Sequence, residues 1–448
     1  MENSKKSNSR REFIKKTALG TAALTFGISA KSYGNIIGSN ERINVAVMGM
    51  NGRGSSLARN FSRQANTQVT YVCDVEESAL TKGANAIVEI TNSEPNAIVD
   101  FREALDDDNV HALVIAAPDH WHTPAGILAC KAGKHVYVEK PLGHNPEEGE
   151  LLIQAARKYN KLIQVGSQRR SWPRMNQCMN EIKEGIIGRV YFAKGWYANR
   201  RGSIGTGKKV PVPNTLNYEL WQGPAPRVAY QDNIIHYNWH WFWHWGTGEA
   251  LNNGNHEMDL MRWGLGVDYP IRVNSIGGIY HLDDDWQTPD TQVIGMDFEG
   301  NKSMVWEGRS RNSRPIEGSG RGVKFHGENG TIVITGGDSY TVYDNRNQLI
   351  KEVSDSTEAT DSMDTTGPGD ILDSYHIHNF LDSIRGNAKL TAEVENGHKS
   401  VLLGHLGNIA HRVGRTINCN PQNGRIIGDT DAMKLWGRQY EPGWEPLV

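Results

Sequence analysis

The chain has 448 residues, 38% of them apolar and 22% charged, with 48 glycines and a formal charge of −3. At about 150 residues per domain this length suggests two or three domains, and the composition excludes disordered, collagenous and coiled-coil chains. Acidic side chains outnumber Lys and Arg by 51 to 48. The basic face that phosphate neutralisation demands is missing, so no nucleic-acid partner is expected.

The charge is unevenly spread. Residues 1–30 hold Lys5, Lys6, Arg10, Arg11, Lys15 and Lys16 against Glu2 and Glu12, which leaves 42 basic and 49 acidic side chains on the rest. Arg10-Arg11 precedes a weakly apolar run over 18–30 that is too short and too polar to span a bilayer. The pattern reads as a twin-arginine signal peptide over 1–35, which implies a folded, exported, periplasmic protein with no integral membrane segment. Cys73, Cys130, Cys178 and Cys419 are scattered, giving neither a disulfide framework nor a cysteine zinc site.

From residue 43 short β-branched runs alternate with helical segments, the pattern of a parallel sheet covered by helices. Strands are expected at 43–48, 68–73, 111–117, 136–138 and 162–165. Helices fit between them at 53–64, 76–90, 123–132 and 146–159, the last capped by Asn145 before Pro146. Together they make a doubly wound domain over 40–166. Beyond Gly166 come a helix at 174–184, a strand at 189–196, a Gly-, Pro- and Trp-rich stretch from 202 to 248, and a helix at 257–263. Strands at 272–280, 291–298, 302–308, 322–326, 331–335 and 340–344 follow, joined by short turns such as Glu299-Gly300-Asn301. They imply an α+β domain over 167–413 with an open, mostly antiparallel sheet. A surface loop is expected at 354–370, helices at 371–385 and 394–413, and an irregular tail over 414–448 that contains Trp436 and Trp444.

The first strand runs into Gly49-Met50-Asn51-Gly52-Arg53-Gly54 at a helix start. Glycines let the backbone turn tightly and approach a pyrophosphate, whose charge sits against the free N–H groups of the helix end. Asp74 ends the next strand 20 residues after Gly54, where a carboxylate holds ribose hydroxyls and repels a 2′-phosphate, so NAD is the expected cofactor. Pro118 and His122 after the strand at 111–117, and Glu139-Lys140-Pro141 after the strand at 136–138, fall at carboxyl ends of strands, where ligands bind in open α/β sheets. Lys140 is either a surface charge paired with Glu139 or a cation that polarises a reacting hydroxyl.

The segments AAPDHWHTPAGILACKAGKHVYVEKPLG and NNGNHEMDLMRW make the chain similar to the glucose-fructose oxidoreductase / inositol dehydrogenase family of NAD(P)-dependent enzymes. The resemblance covers almost all of the chain after the leader. It implies a Rossmann domain followed by an open-sheet α/β domain whose sheet face forms homo-oligomers, as a dimer or tetramer, and oxidation or reduction of secondary alcohols of sugars and cyclitols. It also makes Lys140 and His256 catalytic. The family's Asp four residues before that His falls on Asn252, and its middle fingerprint Gly falls on Asn51. A spacing of four would put Asn252 and His256 on one side of a helical turn. An amide there can orient a hydroxyl but cannot take up a proton. His256 would remove the proton of a sugar hydroxyl while Lys140 stabilises the developing alkoxide and Asn252 holds the imidazole ring in register.

The aromatic run 236–245 offers either a sugar-stacking platform or packing between domains or subunits. Trp239 and His240 are candidate substrate residues, together with Arg169 and Tyr197. His236, His240 and His244 would align if helical, but hydride chemistry needs no metal and none is expected. Export adds one constraint, because free NAD is absent outside the cytoplasm. The cofactor should stay bound and be recycled in place, as in a glycoside 3-dehydrogenase. The rival readings are an NAD-dependent glycoside hydrolase working by transient oxidation and elimination, and an inactive sugar-binding protein of the same fold.

Overall fold

The computed structural model describes residues 42–281, 283–354 and 369–448. The expected leader and most of the expected loop at 354–370 lie outside the described residues. Strands β1 (Ile43–Met48), β2 (Thr67–Cys73), β3 (Asn96–Ile98), β4 (Ala112–Ile115), β5 (His135–Val138) and β6 (Ile163–Val165) pair in the order β3-β2-β1-β4-β5-β6, all parallel. Ala112–Ile115 is buried at every position, as a strand covered on both faces must be. The order reverses between β1 and β4, so a crevice opens at their carboxyl ends. Asn145 caps the helix Pro146–Lys158, its side chain accepting from the Glu148 N–H. Helix Asp119–Lys131 starts four residues earlier than expected, with Pro118 before it and Pro124 inside it.

Ten strands form the second sheet: β7 (Val190–Ala198), β8 (Arg272–Gly278), β9 (Thr291–Phe298), β10 (Lys302–Arg309), β11 (Arg321–Gly327), β12 (Gly330–Thr335), β13 (Tyr340–Asp344), β14 (Leu349–Val353), β15 (Ile417–Cys419) and β16 (Ile426–Ile427). Their order is β14-β13-β12-β11-β7-β10-β9-β8-β15-β16. The sheet is mostly antiparallel, and β7 with β10 is its parallel pair. Helices Gly254–Leu265 and Val394–Val413 cover one face, where Met258, Met261, Leu403 and Leu406 meet Trp306 and Phe325 in a single core. On β9 buried and half-buried residues alternate, as in a sheet covered on one face. Beside it Ile276 and Tyr280 stand 68% and 71% exposed.

The expected division at residue 166 marks where the chain leaves the first sheet, but later residues return to it. Ile377, Phe380 and Leu381 of helix Gly369–Ile384 share a core with Val45, Val47 and Phe61, and Val394 and Val401 share another with Leu152 and Val165. The tail is less irregular than expected: it holds β15, β16 and a helical turn, and buries Trp436 in the second core. Trp444 lies edge-on to Trp121 at 5.2 Å, so the tail also docks on the first domain.

One buried ion pair ties three segments together. Arg170 Nε donates to both Asp259 carboxylate oxygens at 2.9 Å, and Ser400 Oγ donates to the same carboxylate at 2.5 Å. Asp259→Ala strands a buried guanidinium and is expected to cost about 3–5 kcal/mol, read as a lower urea midpoint.

Candidate active site

The glycine turn after β1 is held by backbone contacts too close for side chains. Gly49, at φ +87°, donates its N–H to Cys73 O at 2.8 Å. A Cβ on Gly49 would lie 2.7 Å from Ala116 O, and one on Gly54 only 1.5 Å from Gly49 O. Asn51, in place of the family's middle glycine, has φ −76° and ψ 157°, a conformation open to any residue, and is exposed. Gly52 takes the positive φ instead, at +29°, with nothing within 4 Å of a Cβ there. Helix Gly52–Ser62 has no side-chain cap and no acidic residue in its first turn, so its leading N–H groups remain for an anion. Asp74 Oδ2 accepts from Met50 N at 2.6 Å and Oδ1 from Glu76 N at 2.9 Å. Each oxygen keeps a second lone pair for a ribose hydroxyl. These residues fit a dinucleotide without a 2′-phosphate.

Around this turn lies a cleft of about 560 Å³. Gly49, Asn51, Gly52, Arg53, Asp74, Pro118, His122, Glu139, Lys140, Trp239, His240, Asn252 and His256 all line it, while Gly54 packs beneath. Arg53 is not free for phosphate alone: its Nε donates to Glu139 Oε1 at 2.7 Å and its Nη1 pairs with Asp373. That leaves Glu139 bonded to Lys140 only through the backbone N–H, at 3.3 Å, and not through the ammonium. The Lys140 Nζ donates to Asn252 O at 2.7 Å, and burial pulls its pKa down against the pull of Glu139 and Asp119. Lys140 is therefore a half-buried cation lining the cleft, not a surface charge.

His256 follows a break in the helix. Glu249–Asn252 and Gly254–Leu265 are separate helices, joined at Asn253 with φ −116°. The two side chains expected on one helical turn do reach the same cleft, but no hydrogen bond joins them among the described residues. The Asn252 amide instead reaches Glu249 Oε1 at 3.4 Å and the Tyr237 hydroxyl at 3.5 Å. Asn252 thus does not hold the His256 ring in register. Burial, reinforced by Lys140, pushes the His256 pKa well below the ordinary imidazole value, so the ring is a neutral base.

Two expected substrate residues fall outside the residues lining the cleft. Arg169 donates to Gly336 O at 3.2 Å and stacks over Trp172, and the Tyr197 hydroxyl accepts from Asn199 under the Arg321 guanidinium. The aromatic run divides. Trp239 stacks on His240 at 3.6 Å in the cleft, whereas Trp241 stacks on Trp286 and Trp245 packs against Trp221. His236, His240 and His244 share no regular helix.

Asp119, Tyr237 and Leu216 line the cleft without having been singled out from the sequence. Asp119 accepts from Thr247 Oγ1 at 2.7 Å, and burial pushes its carboxyl up to about 7. The motif around it, at the carboxyl end of β4, was the available signal. Leu216 has none in one dimension, because it reaches the site by pairing with Glu76 across the chain.

Residues 43–167 match the GFO_IDH_MocA oxidoreductase family with an NAD-binding Rossmann fold, and residues 193–445 match its C-terminal alpha/beta domain. A glycosyl hydrolase family 109 protein of Saccharopolyspora erythraea is 29% identical over 209 residues, 42% of this chain and 45% of that protein. A levoglucosan dehydrogenase of Pseudarthrobacter phenanthrenivorans is 35% identical over 102 residues, 23% and 26% of the two chains. The chain spans less than half the length of these curated relatives. A solved levoglucosan dehydrogenase in complex with NADH and levoglucosan shares the fold, with a TM-score of 0.64 at 18% identity over 84% of this chain and 99% of that one.

Proposed function

Because this chain belongs to the GFO_IDH_MocA oxidoreductase family and binds NAD through its Rossmann domain, we propose that it transfers hydride between a secondary alcohol of a sugar, glycoside or cyclitol and a nicotinamide that stays bound. The observation that carries this reading is the convergence of a half-buried cation, Lys140, and a buried neutral imidazole, His256, on the cleft that holds the dinucleotide turn. Bound NAD supplies the hydride acceptor. His256 takes the hydroxyl proton as the carbinol C–H bond breaks, and Lys140 donates to the oxygen as it gains negative charge. Asn252, held by Tyr237 and Glu249, offers an amide to a neighbouring hydroxyl.

Retention of the cofactor is supported by a segment that crosses the nucleotide end of the cleft. Glu77 N donates to Thr215 O at 3.0 Å and Asn217 N to Val75 O at 2.8 Å, which lays Leu216 and Trp221 beside Asp74. A tightly held cofactor suits the twin-arginine leader and a periplasmic location. Oxidation at one ring carbon of a glycoside, followed by reduction of a second sugar or another acceptor, completes the cycle. The exposed Ile276 and Tyr280 support pairing of subunits through the second sheet. Among the described residues no helix is long and apolar enough to cross a membrane.

The base form of His256 should persist where a free imidazole is half protonated, so the acid limb of kcat/KM is expected below the ordinary value of 6.5. Asn252→Asp adds a negative charge that favours imidazolium, and the limb should move upward.

The reading is tested on the purified protein by following the NADH absorbance band while glycosides are added. Growth or bleaching of the band with a keto product supports the dehydrogenase. Release of free sugar with an unchanged band supports the hydrolase that the family 109 relative favours. Neither change with any sugar, despite bound NAD, overturns both and leaves an inactive sugar-binding protein.

A further inference from the structure

A second cavity of about 410 Å³ shares no lining residue with the catalytic cleft. Segment 243–247 separates the two, since Thr247 lines the cavity while its hydroxyl donates to Asp119 of the cleft. The volume suits a small molecule.

Two guanidiniums line this cavity without a carboxylate partner. Arg412 sits over the Trp243 ring at 5.1 Å, and Arg438 donates Nη2 to His244 O at 3.1 Å and Nε to Gln439 O at 3.3 Å. Among the described residues neither has an acidic oxygen within 4.0 Å. Glu148 is the carboxyl that Arg438 feels, but it is already engaged by His144 N, Asn145 and the Tyr440 hydroxyl, and burial pushes it up to about 7. No carboxylate therefore pairs with either guanidinium at hydrogen-bond distance among the described residues.

Its histidines are short of donors. His144, His244 and His405 each turn Nε2 to a backbone carbonyl, of Trp243 at 3.1 Å, Pro226 at 2.8 Å and Gly143 at 3.1 Å. A ring nitrogen facing a carbonyl carries the proton, so Nδ1 is an acceptor on all three. Burial keeps the rings neutral, and His405 is pushed down to about 3. His144 Nδ1 is buried with no hydrogen-bond partner.

A bare anion satisfies the arginines and leaves the imidazole acceptors unmet, and a neutral sugar does the reverse. We propose that this cavity binds a carboxylated sugar, with its carboxylate on Arg412 and Arg438 and its hydroxyls donating to imidazole Nδ1 atoms. This site is independent of the hydride-transfer reading, and its occupancy does not require turnover.

Calorimetric titration of the full-length protein with D-glucuronate tests it, with D-glucose, acetate and inorganic phosphate as comparisons. Saturable glucuronate binding at least tenfold tighter than each comparison is expected. Arg412→Gln, at an exposed position that tolerates change, and Arg438→Gln should each weaken it at least tenfold while the NAD held by the purified protein is unchanged. Absence of glucuronate binding overturns the proposal, and so does acetate or phosphate binding as tightly. Glucuronate binding untouched by both arginine variants but lost in His256→Ala assigns the ligand to the catalytic cleft and also overturns it.

Discussion

Lys140→Ala is expected to lower turnover by about 10²–10³-fold, the range for losing one donor to a developing oxyanion, while NAD remains with the purified protein. The two readouts separate because the neighbouring charges are partitioned. Glu139 is held by Arg53, and Arg53 by Asp373, so removing the ammonium leaves the wall of the cofactor site intact. Only the hydrogen bond from Nζ to Asn252 O disappears with it. Single-turnover NADH formation measures the first effect, and nucleotide released by acid measures the second. Full activity in the variant removes Lys140 from the chemistry; loss of NAD with it makes Lys140 a cofactor-positioning residue.

Gly54→Ala should act in the opposite way and abolish NAD retention. The added Cβ would overlap Gly49 O at 1.5 Å, and Gly49 is itself wedged against Ala116. No flexible side chain is available to yield, so the turn must open. Overpacking against backbone is expected to cost at least about 3 kcal/mol, seen as a lower Tm together with nucleotide-free protein. Gly52→Ala is the control. Its positive φ makes alanine unfavourable by about 1–2 kcal/mol, but nothing lies within 4 Å, so most NAD should remain. Equal NAD loss in both variants would sink the steric argument.

What could be read from one dimension was what is local. The strands β1, β2, β4, β5 and β6, the glycine turn and Asp74 follow from β-branched runs and short spacings, and β9, β13 and helix Val394–Val413 have the expected bounds. β3 escaped notice because Asn96–Ile98 is short, exposed and without alternation. The parallel pairing of β7 with β10 joins residues more than a hundred positions apart, which no local pattern encodes. The site divides in the same way. Lys140 and His256 were legible from motifs, and the spacing of Asn252 and His256 placed both on one cleft, but not the break at Asn253 that parts their helices. Arg169 and Tyr197 do not line the cleft; a carbonyl and an amide serve as their partners.

The return of helix Gly369–Ile384 to the first sheet has a consequence for synthesis. A ribosome that has released the chain only through β6 has made every strand of that sheet, yet Phe61 and Val47 still lack Phe380 and Leu381. The amino-terminal half must wait, with an apolar strip uncovered, until some 200 further residues have emerged. Both sheets then reach their final packing together, near the end of translation.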